Sequence, residues 1–295
     1  MEMKNQWKRV ASGFLVICLL VVGIVSGLEQ PVSAAAKSYV LEEGKSESIQ
    51  LDGTGNKEKI RFELQEGVFA LYINDEEVYK KNSTAQCSDV YIGSIDKNRK
   101  VLDIVIALYS QSYTGNYDVV DYCRYENGKF EKIQDLKKYL NTTLEKQIGT
   151  FETEDQTNYC YFHPMYSIKE SMLMNGKDEL KVTLCLPCSK EDAKNGFGTY
   201  HADYTLKLKN GKLVKKYSTP KGSMNECVYM MGVTKFYTTP GGTKKAFTAK
   251  ANEDVYFVEY KYIKSKLFLK AENRSGKTGW VDAAKVNAST GNHIE

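Results

Sequence analysis

The sequence predicts an all-β protein: a propeller-like or sandwich β body over residues 37–222, followed by a smaller β-rich tail over residues 232–290. Three observations carry that reading. Short runs alternate apolar and polar residues, turn signals separate them at fairly regular distances, and few windows show a helical period. The chain holds 21 Tyr and only five Pro in 295 residues, which suits pleated, half-buried strands.

The first residues read as an export signal. Lys4, Lys8 and Arg9 precede an uncharged run over residues 10–28, and Pro31 then leads to Ser33-Ala34-Ala35-Ala36. A basic start, an apolar middle and small residues at the exit form the pattern that signal peptidase reads. Pro31 and the Ala-x-Ala site favour cleavage near Ala36 over a retained anchor. Cys18 sits inside the apolar run rather than after it, which argues against a lipoprotein anchor. The expected location is secreted or cell-surface, with no membrane contact after cleavage.

Within the body, strands are expected over residues 59–64, 68–73, 101–108, 180–184 and 204–208. Asn210-Gly211 marks a tight hairpin after the last of them. One helix is expected over residues 133–146, where Leu136, Leu140 and Leu144 recur every four residues. Two weak internal repeats stand out. Residues 125–132 (YENGKFEK) resemble residues 208–215 (LKNGKLVK), and residues 51–60 resemble residues 95–104.

The second pair resembles degenerate copies of the Asp-rich loops in FG-GAP or VCBS-type β-propeller repeats. That resemblance implies oxygen ligands for a weakly held Ca²⁺ from Asp52, Asn56 and Glu58 in the first copy. In the second copy, Asp96, Asn98 and Asp103 remain, and Lys100 stands where a ligand would be.

Thr219-Pro220-Lys221-Gly222-Ser223 reads as a linker. Beyond it, residues 232–242, 255–260 and 267–271 lead to the closing Gly276-Lys277-Thr278-Gly279-Trp280-Val281. This tail is similar to bacterial SH3-like domains over about 55 residues. It departs from the family pattern at Phe268 and Ala271, where Trp and Val are usual. The resemblance implies a half-open barrel that contacts cell-wall peptides or mediates attachment, with a groove built from Tyr237, Tyr260, Tyr262, Phe268 and Trp280. Gly276 and Gly279 are expected to shape the turn, and Trp280 to cap the core, so that Trp280→Ala would unfold the tail.

Charge points the same way. Residues 233–295 carry eleven Lys and Arg against six Asp and Glu, whereas residues 37–232 are mildly acidic. That balance is not one for nucleic acid, and a basic tail suits an anionic wall polymer, a wall peptide or an extracellular protein.

Six cysteines follow the signal: Cys87, Cys123, Cys160, Cys185, Cys188 and Cys227. In an exported chain they permit three disulfides. Catalytic signatures are lacking. Cys160 and His163 have no evident third member, Cys185 and Cys188 have no second pair to complete a zinc site, and no nucleophile elbow, P-loop or metalloprotease motif occurs. The reading is a non-catalytic binding protein that needs no cofactor beyond that weak Ca²⁺. The alternative is a wall-active hydrolase that uses its tail for targeting.

Overall fold

Alternation along the sequence becomes alternation of burial in space. A computed structural model describes residues 38–109, 117–148, 173–174, 176–186, 200–264, 266–286 and 288–289, so the expected export signal lies outside the described residues. Those residues form an all-β protein of antiparallel sheets with one α-helix and one short 3-10 turn among them.

The body is built from three successive meanders. The first holds β2 (Glu47–Ile49), β3 (Glu58–Gln65), β4 (Val68–Ile73) and β5 (Glu76–Asn82), paired in that order. The second holds β6 (Cys87–Gly93), β7 (Asp103–Tyr109), β8 (Tyr117–Glu126) and β9 (Lys129–Asp135), with β1 (Tyr39–Val40) added beside β6. The third holds β10 (Leu173–Met174), β11 (Glu179–Leu186), β12 (Tyr200–Lys209) and β13 (Lys212–Lys215). In each, the last hairpin turns on two consecutive residues with positive φ: Asn74-Asp75, Asn127-Gly128 and Asn210-Gly211. Two such residues suit the tight turn whose twist matches that of the strands. The resemblance between residues 125–132 and 208–215 therefore marks equivalent hairpins.

The second meander is buried on both faces. Val90, Ile92, Ile104, Ile106 and Leu108 pack with Phe62, Phe69, Leu71 and Ile73 of the first. Tyr91, Val105, Ala107, Val120 and Tyr122 face a second core shared with the helix, the third meander and the tail. This explains the nearly unbroken apolar run of β7, whose first six residues are all buried. The helix α1 (Leu136–Ile148) supplies Leu136, Leu140 and Leu144 to the second core. The Oδ1 of Asp135 caps its start by accepting from the Lys138 N–H at 2.9 Å.

The segment expected as a linker is a strand. In β14 (Lys221–Met230), Met224, Val228 and Met230 are buried, and the strand pairs along most of β17 (Asp254–Ile263). It also meets β12 at Ala202↔Met224. Gly222 is there for close approach: a Cβ on it would lie 2.0 Å from the Asp203 carbonyl oxygen. From β14 the ladder runs through β17, β18 (Lys266–Asn273) and β19 (Thr278–Asp282) to β15 (Thr234–Tyr237) and β16 (Lys245–Ala249). The short β20 (Ala288–Ser289) lies on β14. These strands form an open ladder, without barrel closure.

Candidate functional site: an aromatic groove in the tail

The groove forms where a strand ladder stops. β15 and β19 share a single paired position, Tyr237↔Trp280, and the chains diverge beyond it. The opening has a volume of about 630 Å³ and lies between Thr234 and Lys235 on one side and Val281, Asp282 and Lys285 on the other. Tyr237, Phe268 and Trp280 line it together. Phe268 lies opposite Asp282, and Lys270 opposite Trp280, so these side chains share one face of the sheet. The Lys270 ammonium stands 5.9 Å from the centre of the Trp280 ring. Gly241 lies over Phe268: a Cβ on it would meet that ring at 3.7 Å.

Charge in the groove is unbalanced. Lys235, Lys266 and Lys285 line it, all exposed, against the single carboxylate of Asp282. One oxygen of that carboxylate is engaged, accepting from the Ala284 N–H at 3.1 Å to cap the 3-10 turn Ala283–Lys285. An aromatic floor ringed by ammonium groups suits an anionic ligand with a flat or apolar body.

Two of the five aromatics expected in the groove are elsewhere. Tyr260 and Tyr262 are fully buried in the second core, their rings edge to face at 6.5 Å. The Tyr260 hydroxyl donates to the Asp203 carbonyl at 3.1 Å. The cause is a β-bulge in β17, where the register shifts between Phe257 and Glu259. Val255 and Phe257 point inward before it, and Tyr260 and Tyr262 after it.

Trp280 also differs from expectation. In β19, Gly279 and Val281 are buried and Trp280 between them is half-buried on the groove face. The core on the other face is closed by Phe236 and Phe247, stacked at 4.4 Å. Gly279 serves that packing rather than a turn: a Cβ on it would lie 2.8 Å from Phe236 Cβ and 3.0 Å from Ala246 Cβ. The turn belongs to Gly276, with φ of 73°. Asn273 Oδ1 closes it by accepting from the Ser275 and Lys277 N–H groups.

The two loops read as degenerate calcium sites share a different device. Glu58 opens β3, is buried, and accepts from the Leu51 N–H at 2.7 Å. Asp103 opens β7, is buried, and accepts from the Ile95 N–H at 3.1 Å. Asp52 Oδ1 accepts from the Thr54 N–H and hydroxyl, and Asp96 Oδ1 from the Asn98 N–H. These carboxylates hold backbone turns. Asn56 is exposed, and no group of three His, Cys, Asp or Glu suited to a metal ion occurs among the described residues. Asp103 also takes a hydrogen bond from the Tyr122 hydroxyl at 2.8 Å and two from the Arg124 guanidinium.

Cys160, His163, Cys188 and the Cys185 side chain lie outside the described residues. His201 is described. Its Nδ1 stands 3.1 Å from Glu226 Oε1, which also accepts from the His201 N–H and so ties β12 to β14. Cys123 and Cys227 are thiols. Burial among apolar neighbours pushes the Cys123 thiol far above its ordinary pKa, with the Asp121 carboxylate adding to the rise. No helix among the described residues is long and apolar enough to cross a membrane. Comparison with protein-family models, curated proteins and solved structures finds no match for this chain.

Proposed function

We propose that the chain is an exported, non-catalytic binding protein that attaches to the cell wall through its SH3-like tail, with an anionic wall polymer as ligand. One observation carries the reading: Tyr237, Phe268 and Trp280 meet in a groove bordered by Lys235, Lys266 and Lys285. The rings supply contact area at low entropic cost. The ammonium groups draw an anionic chain from a distance and hold it less firmly as salt rises. The basic balance of residues 233–295 strengthens that attraction. The basic and apolar start of the sequence, followed by small residues, supports export.

The test is co-sedimentation of the intact protein with purified cell walls. Trp280 is half-buried on the groove face. Its replacement by Ala should lower wall affinity by about tenfold or more, as for a Trp anchor, and cost only about 1 kcal/mol of stability. Undiminished binding by a folded Trp280→Ala protein would remove the groove from the reading. Loss of cooperative unfolding would return Trp280 to the core.

A further inference from the structure

A second site lies in the body, on the face of the second meander that looks toward α1. Directly across the strands, Asp89 of β6 faces Ala107 of β7, and Ala107 faces Val120 of β8. The neighbouring rows are Cys87, Tyr109 and Tyr117 on one side, and Tyr91, Val105 and Tyr122 on the other. One carboxylate and four phenols, Tyr91, Tyr109, Tyr117 and Tyr122, therefore flank the smallest side chain of the face, and the Tyr122 hydroxyl is already committed to Asp103. Tyr109 and Tyr117 meet edge to face at 5.6 Å.

Hydrogen bonding in this cluster is incomplete. The Tyr109 hydroxyl bonds to the Asp89 carboxylate. Asp89 Oδ2 and the Tyr91 hydroxyl are both buried, and neither has a hydrogen-bond partner among the described residues. Tyr91 as a whole is only 2% exposed. A buried polar atom left unbonded is costly, so two on one face mark a place built to receive a donor. Burial pushes the Asp89 carboxyl up to about 6 against the opposing hydrogen bond from Tyr109, and no cation among the described residues offsets it. Asp89 and Tyr109 are each only half-buried.

We propose that Asp89, Tyr91, Tyr109 and Tyr117 bind a primary ammonium group carried on a short apolar stem. A primary ammonium brings three N–H donors and one positive charge. It can donate to Asp89 Oδ2 and to the Tyr91 oxygen at once, and its charge offsets the buried carboxylate. The tyrosine rings give the stem an apolar wall and the cation a favourable quadrupole. The site is independent of the tail groove, which selects the opposite charge.

The experiment titrates the intact protein with n-butylammonium chloride by calorimetry, against sodium chloride at equal ionic strength. Saturable binding is expected. Asp89→Asn should weaken it at least tenfold and Tyr91→Phe about threefold, the tenfold step being the loss of one charged partner. Tetramethylammonium, which has no N–H donor, should bind about tenfold more weakly than n-butylammonium. Thermal unfolding of each variant reports whether it folds, and Tyr91→Phe carries the test if Asp89→Asn does not. No saturable binding would overturn the proposal. So would equal binding by a folded Asp89→Asn protein, or equal binding of the two cations.

Discussion

Gly279 and Trp280 are neighbours in the chain and face opposite ways, one toward the core and one toward the groove. The stacked pair Phe236 and Phe247 comes so near the backbone that position 279 has no room for a side chain. Gly279→Ala should therefore cost about 1–3 kcal/mol, the range for overpacking, read as a lower urea midpoint with an unchanged m-value. A midpoint equal to wild type would show that the sheet shifts freely. Asp89 gives a pH signature at the same scale. Its folded pKa of about 6 lies above the ordinary 3.8 because burial penalises the charged form. The folded state then holds this proton more tightly than the unfolded state, so stability rises as pH falls from about 7 to about 4. The gain is on the order of 2 kcal/mol once solvent screening of a half-buried group is allowed for. Asp89→Asn should lack that rise. A wild-type midpoint that only falls across this window, with the same slope in Asp89→Asn, would contradict the assignment.

At the scale of the element, several strands, the Asn210-Gly211 hairpin and the helix were legible because each rests on local chemistry. Alternation marks β3 and β12, Asn-Gly marks the turn after β12, and a four-residue Leu spacing marks α1. What local pattern cannot give is the result of a one-residue insertion. The bulge in β17 reverses the inward side, and only pairing with β18 reveals that Tyr260 and Tyr262 belong to the core. Gly222 misleads for a related reason. Thr-Pro-Lys-Gly-Ser is loop chemistry by composition, yet the glycine admits the β12 carbonyl and the Pro220 oxygen accepts from the Tyr262 N–H at 3.0 Å. Gly222→Ala should therefore destabilise by about 3 kcal/mol, the upper part of the overpacking range, because its Cβ would fall 2.0 Å from backbone oxygen. A flexible linker would tolerate the change, and a wild-type melting temperature would support that reading instead.

Across the whole molecule, the strands of the tail continue from the sheet of the third meander through β12 and β14. The second meander lies between two cores and brings a buried ion pair, Asp103 with Arg124, to the start of β7. Charge separates along the chain as well, with the cations concentrated after residue 232 and three of them beside the groove. That separation was legible from counting. The aromatic trio was named, but together with Tyr260 and Tyr262, because its members come from β15, β18 and β19 and are sorted from core residues only by cross-strand pairing and the β17 bulge. The central claim is that this groove holds the protein on an anionic wall polymer. The most direct measurement compares wall binding of the intact wild type with the triple variant Lys235→Gln, Lys266→Gln and Lys285→Gln, at about 50 mM and about 500 mM salt, where screening runs from weak to strong. Strong, salt-sensitive binding by the wild type and weak, salt-insensitive binding by the variant is the predicted result. Equal binding by both proteins at both salt concentrations would contradict it.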